Sequence, residues 1–210
     1  MDNKSLAVYR FKDGIYLNIT NRCPNLCVFC IKTKWKMDFR GSNLGLEKEP
    51  SVQEILSEMK KEWDKEHFKE IIFCGYGEPT LRLSDLIEIC KSIKEGKLGA
   101  DIAAIPIRLN TIGLGNLVHG KDITKDLKGV VDAVAISLNT TDEKQWLEIV
   151  RPQEKYREKG FESVKEFIKL CAEKIKDITV TAVDNKDVDM EAVREYAKQL
   201  KIKFKLRPYL

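Results

Sequence analysis

The chain of 210 residues predicts an α/β fold, an open partial (β/α)6 barrel of the TIM type with parallel strands. Three observations lead there. Six short segments of strand character alternate with helical ones, and several of the strands, EIIFC and DAVAISLN among them, are nearly continuously apolar, as strands buried on both faces are. Right-handed crossovers would then build a parallel sheet whose six units stop short of the eight that close a barrel. A flat doubly wound sheet is the second arrangement that this alternation allows. The length suits one core, so a single domain over 1–210 is expected.

The segment from Ile15 to Thr20, IYLNIT, alternates apolar and polar residues and reads as the first strand, running into a loop of cysteines. Ser51 is placed to cap a helix through about Glu66, with Glu54 three residues later completing a capping box. EIIFC is the second strand, broken by GYGEPT, whose glycines require a turn. Ser84 and Asp85 open the helix DLIEICKSIK, which ends at Gly96 and Gly99. PIRLNT is the third strand, followed by the glycine-bearing stretch GLGNLVHGKD and a short helical piece. DAVAISLN is the fourth. Helices from about Thr141 to Ile149 and from about Phe161 to Lys174 lead to the fifth strand, DITVTAV, and a helix from Met190 to Leu200 leads to the sixth, KFKLRP.

Charged residues make up 33% and hydrophobic residues 43%, as in soluble globular chains. No apolar run is long enough to span a bilayer, and the opening MDNKSLAVYRFKDG has charges where a signal peptide needs an apolar stretch, so no membrane association and a cytoplasmic location are expected. The net charge of +4 is spread along helices without a basic block of the nucleic-acid-binding kind.

Cys23-Pro-Asn-Leu-Cys27-Val-Phe-Cys30 sets three cysteines on one short loop, the spacing CxxxCxxC. Soft thiolates at this density select iron–sulfur clusters or zinc. A structural zinc site wants four protein ligands, commonly in two spaced pairs, and no second pair exists here. Three ligands on a four-iron cluster would leave one iron open. A zinc-stabilised binding protein without catalysis is the alternative that this loop permits. Cys74, Cys90 and Cys171 stand apart in apolar-periodic segments and read as small core hydrophobes.

With Phe29 before its last cysteine the loop resembles the signature of the radical S-adenosylmethionine (SAM) superfamily. Gly75-Tyr76-Gly77-Glu78-Pro79-Thr80 stands where that superfamily carries its GGE motif. The whole run, from NITNRCPNLCVFC through FCGYGEPTLRL and IRLNTIGLGNLVHG to ISLN and RP, is similar to the small TatD-associated radical SAM family. Ile112 departs from the Asn-Thr-Asn-Gly that related sequences often carry.

The resemblance implies a [4Fe–4S] cluster on Cys23, Cys27 and Cys30, with SAM bound to its open iron. Gly75, Tyr76, Gly77, Glu78 and Pro79 would bind the SAM amino group. Asn110, Ser137 and Asn139, at the ends of the third and fourth strands, would contact ribose and carboxylate, while Phe29 and Val183 would pack near the cofactor. It further implies reductive cleavage of SAM to methionine and a 5′-deoxyadenosyl radical that abstracts hydrogen from a small-molecule or macromolecular substrate. The expected partners are a one-electron donor such as flavodoxin or ferredoxin, and a functional link to a TatD-type nuclease. His119, the loop from Ile31 to Pro50 with Trp35, Phe39 and Arg40, and the arginines Arg82, Arg108 and Arg151 are further candidates for facing a substrate, each with packing or ion pairing as the alternative.

Overall fold

The computed structural model describes residues 5–210, so the first four residues of the charged amino-terminal stretch lie outside the described residues. In chain order the elements are β1 (Val8–Phe11), β2 (Gly14–Leu17), α1 (Ile31–Lys34), β3 (Asp38–Phe39), β4 (Ser42–Asn43), α2 (Val52–Lys65), β5 (Glu70–Phe73) and α3 (Leu83–Lys94). There follow α4 (Ala100–Ala103), β6 (Ile107–Thr111), α5 (Gly115–His119), α6 (Thr124–Leu127), β7 (Ala133–Ser137), α7 (Glu143–Val150), α8 (Gly160–Lys174), β8 (Asp177–Val183), α9 (Met190–Gln199) and β9 (Lys203–Arg207).

Seven strands form one sheet in the order β1-β2-β5-β6-β7-β8-β9. From β2 to β9 every neighbouring pair is parallel and the six strands follow one another in chain order. A doubly wound sheet would reverse that order at a switch point, so the succession is that of a partial (β/α)6 barrel.

The seventh strand corrects the all-parallel expectation. β1 pairs antiparallel with β2, Phe11 opposite Gly14, around a tight turn in which Lys12 takes a positive φ of 54°. The apolar runs VYRF and GIYL separated by Lys-Asp carried this hairpin, but the net charge of the stretch masked it.

The helices start where their local chemistry allows. Ser51 and Glu54 form the expected capping box of α2. Ser84 does not cap α3: Pro79 begins a 3-10 turn over Pro79–Arg82, and α3 continues directly from it without a side-chain cap. One face of the sheet, with Leu17, Ile71, Phe73, Leu109, Ile136 and Val180, packs on the helices in the main core. The opposite face carries Tyr16, Cys74, Arg108, Asn110, Ser137 and Thr181, because side chains alternate along a strand. That face lines the inside of the barrel, and its upper end is polar. A cavity of about 870 Å³ opens at the other end, between strand starts that include Glu70, Asp132, Asp177 and Lys203.

Candidate functional site

The cysteine loop follows β2 directly, at the carboxyl end of the parallel strands where barrels of this kind place their chemistry. Cys23, Cys27 and Cys30 are free and half-buried. Burial pushes the Cys23 thiol up to about 12, with negative charge at Glu78 and Cys30 adding to it. Cys27 shifts the same way, by burial first and then by Cys23 and Cys30. Cys23 and Cys27, desolvated and shifted upward, are stabilised as thiolates by a bound cationic centre, and with Cys30 on the same loop the donor set fits an iron–sulfur cluster. Among the described residues no group of His, Cys, Asp and Glu converges as around a single ion. Cys90 and Cys171 are buried in the main core, as expected.

The loop is clamped on both sides by backbone. The amides of Leu26 and Val28 donate to the carbonyls of Arg151 (3.0 Å) and Ile149 (2.9 Å), and the Gln153 amide donates to Pro24 (2.8 Å). Across the loop, the Glu78 amide donates to the Arg22 carbonyl at 2.8 Å. Arg151 was a candidate through its side chain, but the backbone clamp from Ile149 to Gln153 was not legible, since such bonds leave no trace in side-chain pattern.

The turn after β5 owes its glycines to close approach. A Cβ on Gly75 would lie 2.0 Å from Asn18 Oδ1, and one on Gly77 would lie 2.2 Å from the Thr20 carbonyl oxygen. Both contacts are far inside van der Waals distance, so any side chain would push the turn off the strand leading into the cysteine loop. Tyr76 turns its ring into a second cluster with Tyr9 and Leu44, and its hydroxyl donates to the Asp38 carbonyl at 2.5 Å. Only its backbone is left for a ligand. Pro79 is buried at the head of the 3-10 turn.

Glu78 is 1% exposed. Its Oε1 accepts from the Thr80 amide (3.1 Å), the Thr80 hydroxyl (2.6 Å) and the Thr111 hydroxyl (2.7 Å), and its Oε2 accepts from the Ile112 amide (2.8 Å). Burial raises its pKa more than these four donors lower it. The carboxylate ties the turn to the end of β6, and Oε2, with one donor, keeps capacity for another. The bond at position 112 comes from backbone, so Ile112 needs no polar side chain to make it.

Polar side chains gather at the ends of β6, β7, β8 and β9. Asn110 Oδ1 accepts from Arg108 at 2.7 Å. Cys74 belongs to this face and lies against Asn110, which corrects its reading as a core hydrophobe: Phe73 before it takes the core side of the strand. Asn139, at a positive φ of 70°, accepts from the Val183 amide at 3.3 Å and donates to the Ser137 carbonyl at 3.4 Å. Val183 is buried beside it, and Phe29 is half-buried next to Cys30. Arg207, at the end of β9, reaches Ser137 Oγ at 3.2 Å. Sequence reasoning missed Arg207, although an arginine closing the last strand was a signal in plain view.

The remaining candidates pack or pair. Arg82 donates to the carbonyls of Ile19 (2.7 Å) and Pro50 (2.8 Å) and pairs with Asp85, while Arg108 pairs with Glu70. Arg151 is exposed and caps α7. His119 Nε2 lies 2.7 Å from the Thr80 carbonyl oxygen. Trp35 stacks on Phe39, which meets Phe11 edge-on at 5.2 Å, and Arg40 lies over the Phe11 ring. These aromatics fold the loop from 31 to 50 onto the β1–β2 hairpin.

The description "Radical SAM superfamily" belongs to the family model that matches residues 17–200. Among curated proteins, the chain is 28% identical over 139 residues to a protein named "Probable dual-specificity RNA methyltransferase RlmN" from Endomicrobium trichonymphae, covering 66% of this chain and 36% of that one. It is also 28% identical over 127 residues to a protein of the same name from Chlorobaculum tepidum, covering 58% and 30%. It thus spans about a third of the length of these relatives. Among solved structures, a radical SAM methyltransferase from Sphaerobacter thermophilus superposes with a TM-score of 0.59 at 13% identity, over 96% of this chain and 68% of that one. Methylornithine synthase (PylB) superposes at 0.62 and 13%, over 94% and 53%, and anSMEcpe with bound AdoMet at 0.59 and 18%, over 93% and 50%. Those likenesses are of fold. With the family match over most of its length, the chain belongs to the radical SAM superfamily, enzymes whose cofactors are a [4Fe–4S] cluster and SAM.

Proposed function

We propose that this chain, as a single radical SAM core domain over 1–210, holds the cluster on Cys23, Cys27 and Cys30 and cleaves SAM reductively, to take a hydrogen atom from a small-molecule or macromolecular substrate. The observation that carries the reading is the placement of three free cysteines on one loop, clamped by backbone between the GYGEP turn and the segment from Ile149 to Gln153. When bound, the cofactors supply an electron to SAM and yield methionine and a 5′-deoxyadenosyl radical.

The protein's part is to bind and orient. The turn of Gly75, Tyr76, Gly77, Glu78 and Pro79 receives the SAM amino group, with Glu78 Oε2 as the acceptor that has capacity to spare. Asn110, Ser137 and Asn139 contact ribose and carboxylate, and Phe29 and Val183 pack near the cofactor. A substrate enters at the polar upper end of the sheet, where its reacting atom is held close and water is excluded. A flavodoxin or ferredoxin delivers the electron in the cytoplasm, and the chain works in a functional link with a TatD-type nuclease, as the resemblance to the TatD-associated family suggests. No helix among the described residues is long and apolar enough to cross a membrane.

The test is electron paramagnetic resonance of the anaerobically reconstituted, reduced protein. A four-iron signal whose g-values change when SAM is added supports the reading. A cluster signal indifferent to saturating SAM sinks it.

A further inference from the structure

Arg207 sits at the carboxyl end of β9, where its residue pairs with Val183 on β8. Its Nη2 makes two long contacts, to Ser137 Oγ at 3.2 Å and Asn139 Oδ1 at 3.5 Å. Its Nε is buried and has no hydrogen-bond partner. Among the described residues no carboxylate forms an ion pair with it. Arg108, on the same face, shows the satisfied alternative: it grips Glu70 with Nε at 2.8 Å and Nη2 at 2.7 Å.

A guanidinium does not shed its proton in a protein, so it stays charged where it is buried. Desolvation opposes its charge, and the nearby groups that favour it are Cys74 and the proposed cluster ligand Cys27 when these are ionised to thiolates. Nε is the donor left unmatched, Nη2 beside it makes only the two long contacts, and these two nitrogens form the edge that Arg108 gives to both oxygens of a carboxylate. Ser137 Oγ stands beside that edge as a further donor.

We infer that the Nε–Nη2 edge of Arg207, with Ser137, is a receptor for a ligand carboxylate in the mouth of the barrel. The carboxylate has two sources, SAM itself or the substrate. The inference rests on the proposed cofactor site, which supplies the reason for a ligand to lie within reach of Cys27.

The test uses cluster-loaded wild type with Arg207→Gln and Arg207→Lys. Each is titrated with SAM and with decarboxylated SAM, and each is titrated in its SAM-bound form with ¹³C-acetate followed by NMR. If the SAM carboxylate is the ligand, Arg207→Gln weakens SAM by about ten- to hundredfold and leaves decarboxylated SAM unchanged, while Arg207→Lys, charged but without the fork, falls between. If the substrate's carboxylate is the ligand, SAM affinity is untouched, and acetate binds the SAM-loaded wild type but not Arg207→Gln. Unchanged binding of all probes overturns the inference, and so does a variant whose cluster potential shifts while every ligand binds as before. Should Arg207→Gln lose iron or fail to fold, Arg207→Lys alone decides by the same readings. A cluster-loaded wild type that binds no SAM counts against the reading of the site, and acetate titration without SAM then decides for Arg207. A wild type that binds SAM beside unchanged variants counts against Arg207 alone.

Discussion

Glu78, in the turn after β5, and Arg207, closing the edge strand β9, are charged side chains at the same end of one sheet, and they are treated in opposite ways. Glu78 accepts four bonds from Thr80, Thr111 and Ile112, so its charge is largely consumed in fastening the GYGEP turn to β6. Arg207 makes two long contacts and keeps a buried Nε without a partner. Around the ends of β5 and β6, Glu78, Thr80 and Thr111 are matched to one another, whereas at the end of β9 the Nε of Arg207 is not. A buried charge that is matched internally builds a site, whereas one left unmatched is available to a ligand.

The side of β2 and β5 is broken most completely through its cysteines. Alanine at Cys23, Cys27 or Cys30 should abolish cluster assembly, so that iron and sulfide assays fall from about four irons per chain to near zero in a protein that still folds by circular dichroism. Full retention of iron in any of the three would remove that residue from the ligand set.

Gly77→Ala comes next. Its new methyl meets the Thr20 backbone carbonyl, which cannot swing aside as a side chain would. A loss of about 1–3 kcal/mol in denaturant unfolding, together with poor iron retention, is expected. Wild-type stability and iron content would mean that the turn and the strand before the cysteine loop are not packed as described.

Glu78→Gln tests both duties of the carboxylate. The amide cannot match all four donors, so stability should fall by about 1–3 kcal/mol. SAM affinity, measured calorimetrically on cluster-loaded protein, should fall about tenfold if Oε2 takes the ammonium. Lower stability with unchanged affinity would leave Glu78 a structural tie alone.

These contrasts also mark what the sequence made legible. The six parallel strands were readable because each is a short apolar run between turn signals, and the cysteine loop because ligand spacing is a local property. The β1–β2 hairpin was hidden by its charged residues, and the start of α3 by Pro79, whose 3-10 turn runs directly into the helix ahead of Ser84. The glycines of GYG were read as requiring a turn, but Asn18 and Thr20, the groups they closely approach, are distant in sequence. The same limit applies to the clamp at Ile149 to Gln153 and to Arg207, whose significance lies in a partner it lacks.

The smallest effects belong to the cysteines outside the loop. Cys90→Ala and Cys171→Ala remove buried sulfur from the core and should each cost about 1–2 kcal/mol without changing iron content. Cys74→Ala, on the inner face, should leave iron unchanged as well. Loss of about half the iron from a folded variant would reveal a second metal site.

The most direct measurement is product analysis of SAM incubated anaerobically with the reduced, cluster-loaded protein. The account predicts 5′-deoxyadenosine and methionine in equal amounts, absent when Cys23, Cys27 and Cys30 are all alanine. Intact SAM after many hours with a protein that carries its four irons in reduced form would contradict it.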